Sequence, residues 1–139
     1  MHTVVHVVAG GICLLWGGGH IVPTRSVVAA FGELSVDNRR ILTMEWLAEG
    51  LTLIFLGGLV LLVTLVGDGG RTARLVLGAV AAMLVAMAAL SAVTGARTSV
   101  LPMRLCPFVK LTAASLLLVG LTSFTSTAIG APSACTASW

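Results

Sequence analysis

Residues 41–66 read ILTMEWLAEGLTLIFLGGLVLLVTLV. The run is apolar and long enough to cross a bilayer, whose hydrocarbon core of about 30 Å takes about 20 residues of helix. It nevertheless carries two carboxylates, Glu45 and Glu49, one helical turn apart near its start. An ionisable group at the centre of a membrane helix costs on the order of 2.5–3.5 kcal/mol, so such residues face a bundle interior and mark a candidate site.

Three further stretches of this kind lie at 3–22, 75–94 and 111–129, the third of the four reading LVLGAVAAMLVAMAALSAVT without a charge. The whole chain has 139 residues, 58% hydrophobic and 9% charged, with no tyrosine, and a mean hydropathy of +1.08. Soluble domains hold about a quarter charged residues, so lipid is the natural solvent of this one. Four crossings and their connections use up residues 1–139, which predicts one all-α domain, an integral membrane four-helix bundle. The first stretch is read as a helix and not as a signal peptide: only His2 and the amino terminus precede it, and GGGHIVPTR offers a poor cleavage pattern. The formal charge of +3 is spread over the loops, so no nucleic-acid partner is expected. The bilayer is the expected partner.

Basic residues set an expected orientation, because cytoplasmic loops collect Lys and Arg. Arg25, Arg39 and Arg40 lie in the first loop, Arg97, Arg104 and Lys110 in the third, and only Arg71 and Arg74 in the second. Loops one and three are therefore expected inside and both termini outside, in a plasma (inner) membrane. Cys13, Cys106 and Cys135 show no CxxC spacing; mid-helix and opposite-face positions preclude a disulfide within one chain, and small apolar filling is the simpler role. Small residues for close helix approach occur throughout, including Gly10, Gly11, Gly17, Gly50, Gly57 and the Gly78, Ala82, Ala86 repeat. That repeat also offers a contact for a homodimer or for a partner in a membrane complex.

The polar residues gather on one face: His20, Arg25, Glu33, Asp37, Arg39, Arg40, Glu45, Glu49, Arg97, Arg104 and Lys110 all fall on the side of the first and third loops. VVAAFGEL in the first loop suits a short interfacial helix, and Ser35 or Asp37 an N-cap for the second helix. Pro102 and Pro107 flank MRLC and predict an extended or re-entrant third loop. Two such loops suggest a lid over a cavity. From a helix start near Asn38, Glu45 lies about 10 Å and Glu49 about 16 Å along the axis. Their spacing puts both on one stripe, with Arg39, Arg40, Arg104, Lys110 and His20 as candidate partners.

Two readings of the pair stand together: ion-pair partners that orient the loops, or a ligand or proton site centred on Glu49. No metal or cofactor is expected. His6 has no axial partner for haem on another helix, and Glu45, Glu49 and His20 form no recognised metal motif.

The run MEWLAEGLTLIFLGGLVLLV, the turn GDGGRTAR, the Ala/Leu-rich third helix and GGGHIVP at the end of the first resemble the DoxX-like four-helix bacterial membrane proteins over about residues 8–94. Glu49, Gly50 and Gly58 carry the resemblance. The lysine usual near the end of the first helix in that family is replaced by His20 as the nearest polar residue, and Glu45 is additional. The resemblance implies a small inner-membrane protein associated with oxidoreductases. The expected function is a polar cavity at one membrane face that binds a small amphipathic or anionic ligand through Glu49, Glu45, His20, Arg39 and Arg104. Two alternatives are a proton-coupled transporter using Glu49, and a membrane enzyme using Glu49 as acid or base on a lipid-like substrate.

Overall fold

A computed structural model of the chain describes residues 2–129, with side chains through Thr122. Among the described residues there are only helices and turns: α1 (His2–Ile21), α2 (Thr24–Ala29), α3 (Val36–Val66), α4 (Arg71–Val93), a 3-10 turn (Gly95–Arg97) and α5 (Leu101–Ile129). Four of them are long and apolar enough to cross a membrane, which fits a multi-pass membrane protein. The fold is an all-α bundle, as the hydropathy predicts.

Helix starts depart from expectation more than helix ends do. α3 begins at Val36, because Ser35 caps it by accepting from the Asn38 N–H. Of the segment VVAAFGEL only its first three residues are helical, as the end of α2, which starts earlier at Thr24 and stops before Gly32, whose φ is 77°. The extended or re-entrant third loop is a correction: α5 starts at Leu101 and runs through both prolines. Pro102 lies in the first turn, where a missing N–H costs nothing. Pro107 sits inside the helix, where it deprives the Met103 carbonyl of its donor and its ring crowds that carbonyl, yet α5 continues through it.

α1 lies along α3, α5 along α1, and α4 along α5, whereas α3 and α4, though consecutive, share a small contact. The α1–α3 seam is set by glycines. A Cβ on Gly17 would lie 2.7 Å from the Gly50 carbonyl oxygen, and one on Gly57 would lie 2.7 Å from that of Gly10. The two crossings are seven residues apart on both helices, so only glycine at these positions lets the backbones meet. Further along, Gly120 of α5 leaves room for the buried His6 ring.

The core is formed by Ala9, Cys13, Leu53, Leu56, Val60, Leu77, Val80, Ala81, Leu84, Ala113, Ala114 and Leu117. Cys13 is the small filler expected of it. Leu15, Leu51, Phe55, Leu65, Leu75 and Phe108 point outward, as lipid-facing residues do. The repeat at Gly78, Ala82 and Ala86 is not a core seam: Ala82 and Ala86 are exposed, and α4 turns Ala73, Leu77, Val80, Ala81, Leu84 and Ala88 inward.

Candidate functional site

The end of α1, the first half of α3, the end of α4 and the start of α5 meet at one end of the bundle. The Gly17–Gly50 crossing fixes what faces what, because it places Glu49, the neighbour of Gly50, beside His20, three residues beyond Gly17. The indole N–H of Trp46 donates to the His20 carbonyl at 2.6 Å, and the Thr24 hydroxyl donates to the same carbonyl at 3.0 Å. The last turn of α1 is thereby pinned to α3. The His20 ring stacks on Trp46 at 4.5 Å between centroids and meets Trp16 edge-on at 5.8 Å. Its Nδ1–H donates to the Trp16 carbonyl at 2.9 Å, and since a carbonyl only accepts, that proton is committed. Nε2 is left facing Glu49.

From the opposite side, α5 supplies Cys106 and Lys110, which share a face because they are one helical turn apart. The Lys110 ammonium bonds to Glu49 Oε1 and donates to Ser91 Oγ at 2.6 Å, with its side chain 1% exposed. Cys106 Sγ accepts the Trp16 indole N–H at 3.3 Å, donates to Glu49 Oε1 at 3.2 Å and lies 3.7 Å from His20 Nε2. Glu49 Oε2 stands 3.8 Å from that same nitrogen. One carboxylate of α3 is thus shared by an ammonium and a thiol from α5 and an imidazole from α1. Losing either partner of such a pair strands a buried charge.

Beside this cluster is a half-open cavity of about 450 Å³. One wall is α3, with Leu42, Glu45, Ala48 and Thr52; the other is α4, with Met83, Met87, Leu90 and Thr94; Glu49, His20, Cys106, Ser91 and Lys110 form the inner polar end. The gap exists because α3 and α4 barely touch. The expected lid is only half present: Gly95 and Met103 bound the cavity from the third-loop side, whereas no residue of 21–35 lines it.

The structure therefore separates the residues expected at the site. Glu49 is central and His20 is buried beside it. Glu45 is exposed and lines the cavity rim. Arg39 and Arg104 are exposed and do not line it; Arg39 lies with Arg40 along an outer groove of α3, and Arg40 pairs with Asp37 at the surface. Of the five candidate partners for the glutamates, Lys110 and His20 reach Glu49, and Arg39, Arg40 and Arg104 do not line its cavity. Cys106, Ser91, Trp16 and Trp46 are additions. The Cys106–Lys110 spacing was the available signal for Cys106, hidden by reading Pro102 and Pro107 as helix breakers. Among the described residues, His20, Glu49 and Cys106 bring ligand atoms within 4.8 Å of one another. Comparison with protein-family models, curated proteins and solved structures finds no match to this chain.

Proposed function

We propose that this is a membrane protein that binds a small amphipathic molecule in the cleft between α3 and α4, with Glu49 and Lys110 holding its polar end. The observation that carries this reading is the lining itself. Methionines and leucines make adaptable apolar walls, and the hydrogen-bonding groups converge at the inner end, as ligand sites require. A cleft between two membrane-facing helices admits a molecule already dissolved in the bilayer.

An anionic ligand is the less favoured form of this reading. Glu45 and Glu49 bring two negative charges to the cavity and Lys110 one positive, so the formal balance is −1 with His20 neutral. A neutral or cationic polar end fits that balance. The same reading accommodates an accessory role beside a membrane oxidoreductase, as the DoxX-like resemblance implies, since Glu49 and Gly50 lie at the α1–α3 crossing beside the cavity. The excess of basic residues supports loops one and three on the cytoplasmic side of a plasma membrane.

The test is mass spectrometry of small molecules that copurify with the full chain in detergent. Glu49→Gln, made together with Lys110→Met so that no buried ammonium is stranded, is expected to lose the bound molecule while the protein stays monodisperse and helical, and Glu45→Gln to retain it. Undiminished occupancy in that double variant rejects the site. A passage that opens alternately to both membrane faces, seen by accessibility of Ser91→Cys from each side, would replace binding with transport.

A further inference from the structure

We infer that His20, Glu49 and Cys106 form a binding site for a divalent transition metal of borderline softness, with Zn2+ the best fit. The argument starts from the donor atoms. Imidazole nitrogen, thiolate sulfur and carboxylate oxygen are the three ligand types that Zn2+ accepts together, whereas Mg2+ and Ca2+ take oxygen alone. The three donor atoms lie within 4.8 Å of one another. Sγ lies 3.7 Å from Nε2, and Nε2 lies 3.8 Å from Oε2; ligands about 2.0–2.3 Å from a tetrahedral Zn2+ stand about 3.3–3.6 Å apart. A small inward movement of each side chain completes the geometry.

A second and independent observation is that each ligand already has an outer partner of the kind that metal ligands use. His20 donates Nδ1–H to the Trp16 carbonyl, which leaves Nε2 as the coordinating atom. The Trp16 indole N–H donates to Sγ, an outer contact of the kind that orients a sulfur ligand. Lys110 holds Oε1 of Glu49 and leaves Oε2 on the His20 side. The stacked Trp46 ring fixes the imidazole plane. A histidine that merely filled space would not need both its nitrogens and its ring face directed in this way.

Charge balance points in the same direction. A divalent ion with a Cys106 thiolate adds +1 to a cavity whose carboxylates and Lys110 otherwise total −1, so the loaded site is neutral in a membrane that penalises net charge. The proton leaves Cys106 for solvent as the sulfur–metal bond forms. All three ligands line the cavity, so a fourth coordination position faces it and takes water or the polar end of a bound molecule. The site requires only the metal, and stands or falls separately from the organic ligand.

Co2+ is the probe, titrated into the full chain in detergent. One equivalent is expected to give a thiolate-to-metal charge-transfer band in the near ultraviolet and visible bands of tetrahedral intensity, both displaced by Zn2+. Cys106→Ser is expected to abolish the charge-transfer band, and Cys13→Ser and Cys135→Ser to keep it. Trp16→Phe should keep the stoichiometry and weaken binding by about 10- to 100-fold, the usual cost of losing an outer partner. Absence of the band in the wild-type protein, or its persistence in Cys106→Ser, overturns the assignment. Should Cys106→Ser fail to fold, X-ray absorption of the Zn2+-loaded wild-type chain decides the matter: a sulfur shell at about 2.3 Å from the metal is expected, and a shell of nitrogen and oxygen alone overturns the site.

Discussion

Lys110 is the residue on which the cluster's stability turns. Its ammonium is buried and satisfied by Glu49 and Ser91, while the Glu49 side chain is 27% exposed and retains some access to the cavity. Lys110→Met strands the carboxylate and is expected to destabilise the protein by about 3 kcal/mol, the low end of the cost of breaking a buried pair. The double variant Glu49→Gln, Lys110→Met should recover most of that loss, because no charge remains to be desolvated. Unfolding in mixed detergent micelles of both single variants and the double variant measures this, and a double-variant loss equal to the sum of the two single losses would show that the pair contributes no coupling. Glu49 was legible as a candidate site residue from one sequence, since a carboxylate inside an apolar run demands a reason. Cys106 was not, because a lone cysteine near two prolines carries no pattern until the helix around it is known.

Among the elements, α1 and α3 form the most tightly specified pair. Gly17 and Gly18 are adjacent, yet a Cβ on Gly17 meets the Gly50 carbonyl and Ile54, whereas one on Gly18 meets nothing within 4 Å. Gly17→Ala is therefore expected to force α1 off α3 at a cost of about 1–3 kcal/mol. Gly18→Ala should be neutral or stabilising by up to about 1 kcal/mol through helix propensity. Thermal unfolding of the two variants tests the contrast, and equal melting temperatures would refute the crossing. The four spans themselves were readable from hydropathy, because length and apolarity suffice for a membrane helix. Which small residues form a seam was not readable. Gly50 and Gly78 look alike in sequence, and only the rotation of each helix about its own axis decides that one faces a backbone and the other an open side. The start of α5 was misread for a local reason: Pro102 falls in a first turn, where the helix tolerates it.

Across the whole molecule, the polar end and the basic loops coincide. The orientation with loops one and three inside makes Thr72, at the start of α4, accessible from outside and Ser99, beside the 3-10 turn, accessible only from within. In a background lacking Cys135, which lies outside the described residues, Thr72→Cys is expected to react with an impermeant maleimide on intact cells and Ser99→Cys only after lysis. The reverse pattern inverts the topology and places the cluster at the outer face. The residues of the cluster are far apart in the chain, Lys110 lying 61 residues beyond Glu49, and α5 is synthesised after α1, α3 and α4. Glu49 must therefore enter the bilayer before its counter-ion exists. While α5 is still on the ribosome, the carboxyl group meets lipid, water or a proton in place of the ammonium, and α3 and α4 emerge as consecutive segments with little contact to hold them together. Arrival of α5 then supplies Lys110 and Cys106 and docks against both α1 and α4, so completion of the cluster and docking of α5 are one event.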